Sequence, residues 1–393
     1  MFSFSLVTQV VEPLFWLCAG LVAYVYAGYP LAIWVCARIF GTARTPAEPA
    51  RWPAISVIVA AHNEESVIGE RLRNLLALDY PADRLEIIIG SDGSSDATGD
   101  IVRAHASPAV RLLDFAHNRG KAAVLNDAFG AATGDIVVLS DANTMMDPSA
   151  AKRLARWFSD PRVGVVCGRL VLVDAATGGN ADGLYWKYET FLKLCEARLG
   201  ALLGANGAIY AIRRRLYPRL PQRIAVDDFV IPLLARLESG ARIEYDAEAI
   251  AREETPPEIQ SEFARRSRIG AGGFQSLSLL WPLLNPLRGW IALSFVSHKV
   301  LRWLCPFFLI GALASSALLS ADAAVYRFAL GAQVALYSIA FGGYIWPRLG
   351  AVHRVVKLPT MFAAMNLALL VGFVRWASNR QTGVWVRTAR TGL

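Results

Sequence analysis

The sequence has no Cys-x-x-Cys pair; its five cysteines, Cys18, Cys36, Cys167, Cys195 and Cys305, are scattered, and three fall in apolar runs. That pattern reads as reduced, structural thiols. The run His62-Asn-Glu-Glu lacks a second His four residues on, and His105, His117, His298 and His353 are not spaced as ligands, which excludes a zinc protease. No Lys or Arg precedes the first apolar run, so a cleaved secretory leader is not indicated. The net charge of +8 is not gathered into a basic run with interleaved aromatics. That excludes a nucleic-acid reader and points to anionic lipid and sugar diphosphate as partners.

What is abundant is hydrophobicity. At 393 residues and 54% hydrophobic, the chain exceeds the apolar share of an ordinary soluble domain, and the excess lies at the two ends. Leu14 to Val35 is long enough to cross a hydrocarbon layer of about 30 Å, and Arg38, Arg44 and Arg51 follow it. Positive residues on that side predict an uncleaved anchor with the middle of the chain in the cytosol, in a multi-pass protein of the inner membrane. Three later candidates lie at Leu304–Leu319, Val325–Trp346 and Leu358–Phe373, the last the weakest. Residues after Asp182, then Ile259–Leu280 and Leu287–Trp303, read as amphipathic, interfacial helices. The tail arginines Arg375, Arg380, Arg387 and Arg390 favour the cytosol, so one late segment is expected to be re-entrant or interfacial. The expected division is residues 1–40 anchor, 41–53 linker, 54–258 cytosolic domain, 259–303 interfacial helices, 304–376 transmembrane segments and 377–393 basic tail.

Within the middle domain, short β-branched runs at Ile55–Ala60, Leu85–Gly90, Val110–Phe115 and Asp135–Leu139 alternate with helix-like stretches at Glu65–Leu78, Ala97–Ala106 and Lys121–Ala131. This alternation predicts a doubly wound, mostly parallel α/β sheet. In such sheets ligands bind beyond the carboxyl ends of the strands. Three of those ends are polar: Ala60-Ala-His-Asn-Glu-Glu, Gly90-Ser-Asp-Gly-Ser-Ser-Asp and Leu139-Ser-Asp-Ala-Asn-Thr. Each also has a purely structural use, since Asn63 and Asp96 suit helix caps and Asp92-Gly93 is a common turn pair.

Taken in order, His62-Asn-Glu-Glu, Ser91-Asp-Gly-Ser-Ser-Asp, Asn118-Arg-Gly-Lys-Ala-Ala-Val-Leu-Asn and Ser140-Asp-Ala-Asn closely resemble glycosyltransferase family 2 with its GT-A fold. The flanking apolar segments narrow the resemblance to membrane synthases of chitooligosaccharide, hyaluronan, poly-N-acetylglucosamine and cellulose type. The resemblance implies that Ala61, Asn63, Glu64 and Asp92 hold the uridine end of a donor, with Lys121 near its diphosphate. It implies that Asp141 faces the donor sugar and a divalent cation, Mg2+ or Mn2+. The family commonly shows Asp-x-Asp there, whereas this chain has Asn143 in the second place. An amide oxygen ligates a hard cation with less charge.

Gly204-Ala-Asn-Gly looks like the family's acceptor-side segment, giving Gly204, Ala205 and Asn206 acceptor roles. Val226-Asp-Asp-Phe is similar to its Thr-Glu-Asp, which makes Asp228 the general base beside Asp227. A helix N-terminal pair is the plain structural use of the same residues. Phe263-Ala-Arg-Arg-Ser-Arg-Ile stands where processive members carry Gln-x-x-Arg-Trp, so Arg268 takes the diphosphate role, Arg265 replaces Gln and Ile269 replaces Trp. Trp385 and Arg387 resemble a tail that closes over substrate, and interfacial anchoring is their other use. The resemblance implies an inverting enzyme that moves sugar from a UDP-sugar onto a growing glycan, or alternatively onto a polyprenyl-linked acceptor.

Overall fold

The computed structural model describes residues 2–105, 107–173, 183–222, 224–254, 259–345 and 353–380. The chain divides into two compact units: a helical one comprising Met1–Ala32, Ile259–Phe274 and Phe295–Arg380, and an α/β one comprising Ile33–Glu258 with Gln275–Ser294. In chain order the elements are α1 (Phe2–Ala23), α2 (Tyr29–Ile39), β1 (Ile55–Ala61), α3 (Ile68–Leu76), β2 (Leu85–Asp92), α4 (Thr98–Ala104), β3 (Val110–Phe115), α5 (Lys121–Ala131) and β4 (Ile136–Asp141). They continue with β5 (Met145–Met146), α6 (Ala150–Ala155), β6 (Val163–Val173), α7 (Leu184–Arg198), β7 (Tyr210–Arg213), α8 (Asp227–Ser239) and β8 (Arg242–Glu254). Helices α9 (Ile259–Leu280), α10 (Trp290–Ser294), α11 (Leu301–Leu318), α12 (Ala324–Ile345) and α13 (His353–Ala377) complete the described elements.

The α/β unit is built on one eight-stranded sheet in the order β3-β2-β1-β4-β7-β6-β8-β5. Its first half is parallel, with β1 between β2 and β4. Every residue of β1 is buried, as its Val and Ile content requires of a strand covered on both faces. Helix α3 buries Ile68, Leu72 and Leu75 on the sheet, and α5 buries Ala122, Val124, Leu125 and Ala128. The second half is mixed: β7 runs antiparallel to both β4 and β6, and β6 pairs in parallel with β8. The sheet is therefore mostly parallel, with β7 inside it and β5 at its edge running antiparallel to their neighbours.

In the helical unit, α1 passes through a π turn at Tyr24–Gly28 into α2. Gly311 lets α11 approach α1, because a Cβ there would lie 2.8 Å from Cys18 Sγ. Small residues are the usual means of close helix approach where no water is present to drive packing. Polar pairs form inside the unit, as Tyr24 Oη meets Ser297 Oγ at 2.9 Å and Asn366 Nδ2 donates to Tyr26 Oη at 3.0 Å.

Among the described residues four helical stretches are long and apolar enough to cross a membrane: Gln9–Ile39, Trp290–Leu318, Ala324–Ile345 and Val356–Ala377. The stretch Leu287–Trp303, expected to lie along the interface, is continuous with the second of these. Helix α10 continues by a π turn at Phe295–Val300 into α11, and Ser294, Ser297 and His298 on this stretch are buried. The final segment, expected to be the weakest, is as long as the third.

The turn after β2 depends on Gly93. Its φ is +63°, and a Cβ there would sit 2.4 Å from Asn118 N and 2.5 Å from His117 C. Both the left-handed backbone and the lack of space exclude a side chain. Gly93→Ala is expected to cost about 2 kcal/mol or more, read as a thermal midpoint several degrees below wild type.

Candidate active site

Strands β2, β1 and β4 lie side by side, so their carboxyl ends bring three polar loops to one rim of the sheet. The β1 and β2 loops are bonded to each other. Asn63 Oδ1 accepts from Ser95 N at 2.8 Å, Glu64 N donates to Thr98 Oγ1 at 2.8 Å, and His62 Nδ1 donates to Asp92 O at 2.8 Å. Asn63 holds a left-handed φ of 55°, and Ala61 is fully buried. Asp96 caps α4, accepting from Thr98 N at 3.0 Å.

Asp92 is fully buried, and its carboxylate accepts from the backbone N–H of Arg119 at 2.9 Å and of Gly120 at 2.8 Å. Hydrogen bonds to a charged group are worth about 1.5–3 kcal/mol each when buried. They fix the turn that opens α5, and so the position of Lys121, its first residue. Lys121 Nζ then lies 2.9 Å from Asp141 Oδ1 at the end of β4 and 3.3 Å from Asp227 Oδ2 at the start of α8. Burial alone would lower its pKa, but Asp141 and Asp227 outweigh that and hold the ammonium well above the usual lysine value.

Asp228 completes the cluster. Its Oδ2 accepts from Gly207 N at 3.0 Å, and its carbonyl accepts from Ala205 N at 2.9 Å, which ties the turn Gly204-Ala-Asn-Gly to the first turn of α8. Asn206 Oδ1 accepts from Ala208 N at 3.3 Å within that turn. A Cβ on Gly207 would fall 3.2 Å from Asp141 Oδ2 and 3.5 Å from Asp228 Oδ2, so both carboxylates face one bare stretch of backbone. Asp227 is buried and Asp228 half-buried.

The helix N-terminus favours ionised carboxylates by about 0.3–1 kcal/mol. The net shift at Asp228 is nonetheless upward: burial and the charge of Asp227 raise its pKa, and Lys121 opposes them only in part. A half-buried carboxylate with raised proton affinity, over a glycine and one lysine away from a second acid, is the arrangement a general base needs.

Several residues at the site carry no signal in the sequence. Arg71 on α3 is fully buried, donates to Ser140 Oγ at 2.6 Å and to Asn74 Oδ1 at 2.7 Å, and Ser140 Oγ donates on to Ala208 O at 2.6 Å. This chain links the residue before Asp141 to the residue after Gly207. Burial lowers the Arg71 pKa to about 9 although Asp141 pulls it up, so it stays charged at neutral pH. Tyr210 on β7 is fully buried with no hydrogen-bond partner for its hydroxyl among the described residues. Its phenol is pushed well above the usual value by burial and then by Asp227 and Asp228.

Among the described residues no group of three or more His, Cys, Asp or Glu side chains is placed to hold a metal. Asp141 and Asn143 carry hard oxygen donors of the kind a divalent cation takes, and Asp141 Oδ2 is the one that faces Gly207. Mg2+ commonly takes one or two protein oxygens and completes its shell with phosphate and water. Asn143 Nδ2 donates to Glu253 at 2.7 Å, so the NH2 end of the amide, and not its oxygen, is the end turned to Glu253. Arg265 and Arg268 lie on α9 in the helical unit, Arg265 half-buried and Arg268 exposed. Trp385 and Arg387 lie outside the described residues.

Residues 56–217 match the model for glycosyl transferase family 2. That domain belongs to family 2. Among curated relatives, the chain is similar to a probable glycosyltransferase, YdaM, of Bacillus subtilis, 36% identical over 32% of this chain and 31% of the relative. It is similar to an N-acetylglucosaminyltransferase of Bradyrhizobium diazoefficiens, 27% identical over 63% of this chain and 54% of the relative. A poly-beta-1,6-N-acetyl-D-glucosamine synthase of Staphylococcus aureus is 37% identical over 57% of this chain and 55% of the relative. The chain thus spans about a third to just over half the length of these relatives. A solved mannosyltransferase from Pyrobaculum calidifontis, in complex with GDP-Man and Mn2+, superposes with a TM-score of 0.70 over 93% of this chain and 99% of that one, at 24% identity. Its likeness establishes the GT-A fold of the family 2 domain.

A carboxyl group whose folded pKa is raised weakens the fold above its unfolded pKa, and the penalty disappears as pH falls back through that window. Asp228→Asn is therefore expected to raise the thermal midpoint at pH 7, on the order of a degree or two. The gain should shrink as pH is lowered toward about 4, the ordinary aspartate value.

Proposed function

We propose that this chain is a membrane-embedded, inverting glycosyltransferase that transfers sugar from a UDP-sugar in the cytosol onto a growing glycan. The observation that carries the reading is the cluster of Lys121, Asp141, Asp227 and Asp228 around the bare backbone of Gly207. Asp228 takes the proton of the acceptor hydroxyl as its oxygen attacks the anomeric carbon. A single displacement of this kind inverts the anomeric centre. Asp227 keeps the proton affinity of Asp228 high, and Lys121 sets the three carboxylates in register while offering positive charge at the diphosphate end. Asp92, Asn63 and Glu64 place the nucleoside end at the β1 and β2 loops, with Ala61 as the floor.

When bound, Mg2+ or Mn2+ held by Asp141 and Asn143 would supply further positive charge to the leaving diphosphate. The Pyrobaculum mannosyltransferase, solved with GDP-Man and Mn2+, supports cation use on this fold. The relatives named N-acetylglucosaminyltransferase and poly-beta-1,6-N-acetyl-D-glucosamine synthase support a glycan acceptor. The four apolar helices among the described residues support residence in the membrane, and the arginines after the first of them support an inner-membrane protein with a cytosolic catalytic domain.

A second reading, transfer of one sugar onto a polyprenyl-linked or other lipid acceptor, is favoured by one observation. Ile269, an exposed residue of α9, stands where processive members carry Trp. A beta-monoglucosyldiacylglycerol synthase of Synechocystis, 31% identical over 41% of this chain, bears a lipid acceptor in its name. Radiolabelled UDP-sugar separates the readings: a ladder of products is expected, and a single chloroform-soluble product would favour the lipid acceptor.

Purified Asp228→Asn protein is expected to lose about 10³-fold in transfer rate, the usual worth of a general base, while binding UDP as the wild type does. A variant that transfers at the wild-type rate removes Asp228 from that role.

A further inference from the structure

The family 2 pattern places a second carboxylate two residues after the first at the end of β4, and this chain has Asn143 there. Opposite it stands an acid the pattern does not contain. Strand β5 pairs antiparallel with β8 in the register Met145↔Arg252 and Met146↔Ala251. Continued one residue toward the β4 end, that ladder brings Glu253 alongside the Asn143–Thr144 turn, where Asn143 Nδ2 donates to Glu253 Oε1 at 2.7 Å. Thr144 is fully buried and Asn143 half-buried, so the turn has little room to reorient.

An asparagine ligand has a weakness that aspartate lacks. Its two ends are nearly the same size, and only one of them is a donor to a cation. Rotation by half a turn about χ2 presents NH2 to the ion instead of oxygen. A carboxylate partner accepts only from the NH2 end, so it selects one of the two orientations.

We propose that Glu253 is a positioning residue that fixes the Asn143 amide with its oxygen toward a divalent cation held with Asp141. The negative charge absent from position 143 is thereby kept one layer further out, where it orients and polarises the ligand instead of binding the ion. Outer partners of this kind are typically worth 10–100-fold in metal affinity. The proposal rests on the reading that Asp141 and Asn143 hold the cation.

The same geometry gives Asn143→Asp an unusual expectation. Aspartate at 143 would supply the pattern's carboxylate but would have no N–H for Glu253, and two carboxylates in contact repel. Changing Glu253→Gln as well restores the bond with its direction reversed, Gln donating to Asp.

The test is titration of the full chain in detergent with Mn2+, free ion followed by electron paramagnetic resonance, in the presence of UDP and in parallel of GDP. Glu253→Ala is expected to weaken Mn2+ binding about tenfold, with UDP binding measured in EDTA within twofold of wild type. Asn143→Asp alone is expected to gain no more than twofold. The double variant N143D/E253Q should bind at least tenfold more tightly than N143D. Equal affinity of N143D and N143D/E253Q, or wild-type affinity in Glu253→Ala, overturns the proposal. Loss of UDP binding in EDTA together with Mn2+ binding also overturns it, since that marks a general structural role. Asn143→Ala separates the two levels: wild-type Mn2+ affinity in that variant removes Asn143 from the ligand set and defeats both readings. Weakened affinity there beside an unaffected Glu253→Ala defeats only the role of Glu253.

Discussion

The site depends on one ammonium group among three carboxylates. Asp141, Asp227 and Asp228 come from a strand end and a helix start far apart in sequence, and without a cation between them their mutual repulsion would oppose the fold. Lys121 lies within ion-pair distance of two of them and lowers the proton affinity of the third. Its position is itself determined by Asp92, whose buried carboxylate binds the two backbone N–H groups just before α5. The acid of one motif therefore sets the lysine of the next, and that lysine sets the acids of the remaining two.

This dependence explains why the four polar motifs occur as a set. Each has a local use, as the capping by Asp96 illustrates. Their common use appears only once β1, β2 and β4 are adjacent and the turn Gly204-Ala-Asn-Gly is laid over the end of β4. Arg71 contributes to that placement from beneath, joining α3 to Ser140 and, through it, to Ala208. A buried arginine is costly to desolvate. Here it maintains the spacing between Asp141 and the glycine that bonds Asp228.

Strand β3 and helix α5 could be read to the residue, because Val110–Phe115 and Lys121–Ala131 are bounded by clear turn signals. Strands β6 and β8 could not. They are 11 and 13 residues long: Arg169 divides β6 into two apolar stretches, and β8 mixes Arg242, Glu244, Asp246, Glu248 and Arg252 into its run, so neither shows the single bounded apolar run that marked β1. Arg71 was invisible for a related reason: an arginine in an amphipathic helix pattern reads as surface, and only tertiary contact with Ser140 shows otherwise. Glu253 was hidden because its partner lies 110 residues earlier, across a β5–β8 ladder of only two residue pairs. The burial of His298 was not legible in Leu287–Trp303, because basic residues among apolar ones look exposed, and only packing inside the helical unit encloses it.

The central claim is that Asp227 and Lys121 together tune Asp228 as the base. The most direct measurement is the pH dependence of the transfer rate at saturating donor, for the wild type and for Asp227→Asn. The wild type is expected to show an acid limb above the ordinary aspartate range of about 4, displaced to lower pH in Asp227→Asn because the repulsion that raises Asp228 is gone. An acid limb that stays in place, or moves to higher pH, contradicts that tuning.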